Sequence, residues 1–269
     1  MIHRLFHLII GVRPDSFRRG AARGLMLFVL ATWSGSNALS AAEAGQAPPG
    51  YKLVYEQTFE QPAALNDFVV TDPLAWRRGV NKENAALELA QQSQYKTIVR
   101  SPFNIALLAD RVLRDFVIEA DLIQTGKEYG HRDMCLFFGV QSPTNFYYAH
   151  LATAADDHAH NVFIVNGAPR TKIGKETTRG VNWGLGVWHK VRLERRVTDG
   201  TIKVYFDDMT KPVMVAEDKT FGAGYLGFGS FDDTGMIDNI RVWAPEMERR
   251  RVTFFSALKP GPTGAGQTP

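Results

Sequence analysis

An all-β fold, an antiparallel two-sheet β-sandwich of the jelly-roll kind, is what this sequence predicts, on three observations. Between residues 51 and 243, short segments rich in β-branched and aromatic residues recur, divided by Gly, Asn, Asp and Pro. Several alternate apolar and polar residues with period two, and no long helical pattern interrupts them. The connections are too short for the crossovers that parallel neighbours need, so the strands join antiparallel and close as two stacked sheets.

Taken in order, the expected strands are 52–59, 86–89, 96–101, 114–124, 134–140, 146–151, 161–166, 188–197, 201–206, 213–218, 225–230 and 236–243. In the fourth, Phe116, Ile118, Ala120 and Leu122 take one face and Val117, Glu119, Asp121 and Ile123 the other. In the eighth, Val191, Leu193 and Val197 oppose Arg192, Glu194 and Arg196. Asp199-Gly200 then offers the positive-φ pair of a tight hairpin leading into 201–206. Asn166-Gly167 likewise turns the chain toward 170–173.

The ends read differently. Arg18, Arg19 and Arg23 precede an apolar run of about ten residues, which is too short to span a bilayer, and small residues follow it; this is the layout of a signal peptide. Residues 1–42 are therefore expected to be a signal peptide and the start of a linker, residues 51–245 the sandwich, and residues 246–269 a partly disordered tail. In that tail the charged stretch 246–251 with Phe254 and Phe255 is compatible with a short helix or a final strand. A secreted or periplasmic location, with no stable membrane span after cleavage, follows from the leader.

Charge excludes one class of partner. Residues 1–40 hold five of the 31 basic side chains and one of the 28 acidic ones, leaving 26 basic against 27 acidic residues beyond them. No basic face remains for a phosphate backbone, so nucleic acid is not expected as a partner. The single cysteine, Cys135, sits in an apolar run and reads as a small buried hydrophobe.

The densest polar stretch is His131-Arg132-Asp133, then Asn145-Phe146-Tyr147-Tyr148-Ala149-His150, then Asp156-Asp157-His158-Ala159-His160-Asn161. Four of seven histidines fall there, and alternation puts Tyr148 and His150 on one face. A sugar site needs flat apolar surface for the pyranose C–H face and directional groups for its hydroxyls. Arg132, Asp133, Tyr148, His150, His160 and Asn161 are the expected lining of a saccharide groove on the concave sheet. The plainer alternative is that loop Asp and His residues cap turns. His158 and His160 beside two aspartates also permit zinc, although no complete ligand set stands at a recognised spacing.

Trp188-His189-Lys190-Val191-Arg192-Leu193, Val204-Tyr205-Phe206-Asp207, Gly224-Tyr225-Leu226-Gly227-Phe228-Gly229-Ser230 and Ile237-Asp238-Asn239-Ile240-Arg241-Val242 together resemble the concanavalin A-like lectin/glucanase superfamily. Their order is similar to that of the 3-keto-disaccharide hydrolase domain and of laminin-G-type modules. The resemblance implies a sandwich that recognises carbohydrate, and a structural calcium between an acid after the first strand and one near the last, here Glu60 and Asp238. Glucanases of the superfamily carry acids on one strand face, but the matching run Glu119-Ala120-Asp121-Leu122-Ile123-Gln124 ends in an amide, so that mechanism does not carry over and Glu119 and Asp121 read as solvent-facing. The expected function is extracellular glycan recognition. Its alternatives are a glycan-cleaving hydrolase or lyase using the His, Tyr, Asp and Arg cluster, and a structural or adhesive module.

Overall fold

The computed structural model describes residues 47–259. The expected leader, and the tail from residue 260 onward, lie outside the described residues. Within them the chain forms one 3₁₀ turn, Pro62–Asp67, and eighteen strands. The first nine are β1 (Lys52–Gln57), β2 (Phe68–Val70), β3 (Trp76–Asn81), β4 (Asn84–Leu89), β5 (Asn104–Leu113), β6 (Phe116–Gln124), β7 (Asp133–Ser142), β8 (Asn145–Ala152) and β9 (Asn161–Asn166). There follow β10 (Thr171–Lys172), β11 (Gly174–Thr177), β12 (His189–Arg195), β13 (Thr201–Phe206), β14 (Met214–Glu217), β15 (Gly224–Ser230), β16 (Gly235–Ala244), β17 (Glu248–Arg249) and β18 (Ser256–Ala257).

They pair antiparallel into two sheets. The first runs β11-β14-β13-β12-β6-β16-β4-β3, with β1 also on β16; the second runs β10-β9-β8-β7-β15-β5-β2-β18, with β17 also on β5. The alternation seen in the sequence decides which faces meet. Phe116, Ile118, Ala120 and Leu122 of β6 and Val191 and Leu193 of β12 pack with Leu136 and Phe138 of β7 and Tyr147, Ala149 and Leu151 of β8 in one core between the sheets. This is the expected antiparallel sandwich.

Both hairpins form. After β12 the chain turns through residues 197–200 and pairs Arg195 with Ile202. Gly200 takes a φ of 82°, but Asp199 does not adopt a positive φ; its carboxylate instead accepts the N–H of Thr201 at 3.0 Å. The tight two-residue turn expected there is thus a longer one. Gly167, φ 67°, turns β9 toward β10.

Two expectations fail for physical reasons. Residues 96–101 form no strand; they belong to the long β4–β5 connection, whose Val99 packs on the outer face of the second sheet. The ten-residue strand β5 was hidden because Asn104–Leu113 is rich in Ala and Leu and buried on both faces, so it shows no alternation. Of the two readings of 246–251 the strand is the one that forms, as β17, and the chain stays paired beyond it to β18. Glu248 pairs with Val112, the Val252 N–H reaches Ala109 O at 2.8 Å, and Ser256 pairs with Val70.

Candidate functional site

The second sheet has an outer face as well as a core face. Strand register puts Cys135 opposite His150, Phe137 opposite Tyr148, Tyr148 opposite Phe163, and His150 opposite Asn161. Side chains directly opposite in adjacent strands share a face, so Asp133, Tyr148, His150 and Asn161 do come together, as the alternation predicts. They do not line an open groove. All four are buried.

Their cover comes from four segments. Val99, Phe254 and Phe255 pack over the apolar part of this face, with Phe255 edge-on to Tyr95. Arg170, whose N–H bonds Arg100 O, puts its guanidinium 5.0 Å from the Phe163 ring centre and 4.2 Å from that of Phe231, and donates to the Tyr148 hydroxyl at 3.0 Å. Phe231 stacks on His150. Burial pushes the Tyr148 phenol well above its ordinary range, so it stays neutral. The rings expected to meet sugar are an internal layer.

Asn161 and the remaining expected residues are taken up by contacts within the fold. Asn161 Oδ1 accepts the N–H of Gly174 at 2.9 Å, where the chain leaves β10 for the other sheet. His160 is fully buried at a positive φ of 48°, with Nε2 2.9 Å from Thr178 Oγ1; burial, then nearby His150, lowers its pKa to about 4. Arg132 is fixed by Gln124, through its side chain and its carbonyl. His158 is exposed, and Asp156 accepts the N–H groups of His158 and Ala159, so this stretch is a capped turn. Neither His158 nor His160 belongs to a group of three metal-ligand side chains among the described residues.

Two such groups exist, and they share Asp133. Asp133, Cys135 and His150 each bring a ligand atom within 4.8 Å of the others, all buried; Asp133, Asp232 and Asp233 do the same at the loop end of the sheet. There the Tyr129 hydroxyl donates to Asp233 Oδ2 at 2.8 Å, and Asp133 N–H reaches the same oxygen at 2.9 Å. Burial, then the Asp133 carboxylate, pushes Asp233 up to about 7.

Tyr129 is the residue that sequence reading passed over. Tyr129 is 44% exposed and borders two hollows. One, of about 260 Å³, is bordered by Arg132, Thr153, Asn182 and Trp183; the other, of about 440 Å³, by Gln92, Lys127, Asp232 and Asp233. Phe231-Asp232-Asp233-Thr234-Gly235 has the composition of an ordinary turn, and nothing in its spacing ties it to Tyr129, about a hundred residues away.

The strand acids differ from expectation. Glu119 does not face solvent: it is buried and bonded to the guanidinium of Arg192, also buried. Asp121 is half-buried and held by Lys190 and Asn239 at 3.0 and 2.8 Å. Asp238 is buried with Oδ2 bonded to Asn84 at 2.6 Å, while Oδ1 has no partner; burial raises its pKa, and Asp121 and Glu60 add to that. Neither Asp238 nor Glu60 belongs to a group of three metal-ligand side chains among the described residues. Glu60 itself is exposed, and its carbonyl accepts from Arg78 at 3.1 Å.

No protein-family model matches the sequence, and no curated protein does. Solved structures do. The carbohydrate-binding module CBM66 from Bacillus subtilis is 18% identical over 65% of this chain and 94% of its own, with a TM-score of 0.45. The exoplasmic/lumenal domain of VIP36, in a form bound to Ca²⁺ and Man3GlcNAc, is 12% identical over 71% and 89%, TM-score 0.48. Peanut lectin, with a nine-residue peptide, is 12% identical over 76% and 99%, TM-score 0.47.

Proposed function

We propose that the protein is an exported carbohydrate-binding sandwich whose sugar site is the loop rim around Tyr129. One observation carries the reading: an exposed aromatic residue, pinned through its hydroxyl to Asp233, borders two hollows lined by carboxylates, amides and basic groups. A pyranose presents an apolar C–H face to such a ring while its hydroxyls take up directional donors and acceptors beside it. Gln92 and Asn182 supply amides, Asp232 an acceptor, and Lys127 and Arg132 donors. Arg132 is the residue of the expected set that borders this rim.

A glycan array followed by titration calorimetry tests it. Tyr129→Ala is expected to abolish binding while leaving the melting temperature within a few degrees, because its ring is not part of the core. Binding that survives the substitution refutes the rim site. New reducing ends or an unsaturated sugar in the same mixtures would replace recognition by cleavage.

A structural calcium held by Glu60 and Asp238 is part of the same proposal. It is supported by the unsatisfied Asp238 Oδ1. Added Ca²⁺ is expected to raise the melting temperature of the full chain and a chelator to lower it, with both effects absent in Asp238→Asn. A melting curve indifferent to both speaks against the ion. Export through residues 1–42 is checked by N-terminal sequencing of the secreted product.

A further inference from the structure

We infer that Asp133, Cys135 and His150 form a buried site for a divalent transition-metal ion of the zinc class, adjoining the sugar-binding rim through the Asp133–Asp233 contact and distinct from the calcium position. β7 offers Asp133 and Cys135 two residues apart on one face, and β8 sets His150 directly opposite Cys135. Cys135 Sγ lies 3.1 Å and His150 Nε2 3.3 Å from the same oxygen, Asp133 Oδ2. Zinc bonds of roughly 2.0–2.3 Å in a tetrahedron put neighbouring ligand atoms about 3.3–3.7 Å apart, so a small inward or outward adjustment seats the ion.

The imidazole is the telling group. His150 is 2% exposed, yet neither ring nitrogen has a hydrogen-bond partner, and the approach to Asp133 lacks hydrogen-bond geometry. A buried polar nitrogen left unsatisfied costs about 1–3 kcal/mol, and a metal bond to Nε2 removes that cost for one of the two ring nitrogens. Thiolate, imidazole and one carboxylate are a borderline-soft set, which selects zinc, copper or cobalt over calcium or magnesium.

The same burial argues against a nucleophilic role for the thiol. The Cys135 thiol is buried and donates to Asp133 Oδ2 at 3.1 Å, so it is shut away from any solvent-borne electrophile and its proton is held inside the cluster. Binding releases that proton, and the thiolate and carboxylate then carry two negative charges that a divalent ion neutralises. Phe231 seals the site by stacking on His150, and its backbone N–H bonds Asp133 at 3.0 Å, orienting the carboxylate.

Cobalt titration of the full chain, stripped of metal beforehand, tests this. One equivalent of Co²⁺ is expected to give a thiolate-to-cobalt charge-transfer band and visible d–d bands, both lost on adding Zn²⁺. Cys135→Ser, nearly isosteric, is expected to lose the charge-transfer band while melting as a folded protein, and His150→Gln to weaken Co²⁺ binding at least tenfold. Zinc is expected to raise the melting temperature of the wild type and not of Cys135→Ser. A wild-type spectrum without a thiolate band, or equal zinc stabilisation in Cys135→Ser, overturns the assignment. The readouts do not involve sugar, so failure here leaves the carbohydrate reading standing, and the reverse.

Discussion

Arg170 donates a 3.0 Å hydrogen bond to the hydroxyl of Tyr148, and its guanidinium also lies against the faces of Phe163 and Phe231. Tyr148 is wholly buried, so this contact is what satisfies its hydroxyl. Arg170→Ala is expected to cost about 2–3 kcal/mol, from an orphaned hydroxyl and two lost cation–π contacts. For a domain of this size that is a fall of roughly 4–12 °C in melting temperature. Arg170→Lys, which keeps the charge but not the planar fork, should recover only part of it. Differential scanning calorimetry on the three proteins decides the matter, and equal melting temperatures would show the contact to be idle.

The sandwich was legible because strands such as β6 and β12 alternate apolar with polar residues, which marks the face turned to the core even though both strands are almost wholly buried. What alternation cannot report is what lies on the far side of a sheet. Tyr148 and His150 share a face as expected, but that face is roofed by Val99, Arg170, Phe231, Phe254 and Phe255, which are remote in sequence and carry no pattern of their own. Glu119 misled for the same reason. Its place opposite the apolar residues of β6 reads as solvent, whereas Arg192, directly across in β12, encloses it. The rim around Tyr129 depends on Asp233 meeting it from another loop, a contact between turns that local composition does not encode.

His160 gives folding stability a sign with respect to pH. In the unfolded chain the imidazole protonates near 6.5, and in the folded chain burial lowers this to about 4. Between those values the unfolded state binds more protons, so stability rises with pH. The contribution is fully present above about 6.5 and is lost as pH falls toward 4, with a magnitude on the order of 3 kcal/mol. His160→Asn, which tolerates the positive φ and cannot titrate, is expected to flatten this part of the stability profile measured by urea denaturation between pH 4 and 7. An unchanged slope would show that other groups set it.

Removal of residues 246–269 tests whether the sandwich ends at Ala244, where β16 stops. Up to that point the chain contains every strand of the first sheet, and a boundary at 245 looks natural from the sequence. The second sheet contradicts it: Val252, Phe254 and Phe255 cover Val112, Tyr225 and their neighbours, and Leu258 enters the core between the sheets. Ser256–Ala257 also supplies the edge partner of β2. A chain ending at residue 245 would therefore expose a broad apolar face and an unpaired strand edge, both of which promote association. It is expected to bind the dye ANS strongly and to elute from size-exclusion chromatography as aggregate, whereas a chain ending at residue 259 should elute as the full-length protein does. If the shorter chain elutes in the same way and leaves the dye dark, the segment is an accessory to the fold and the outer face of the second sheet tolerates water.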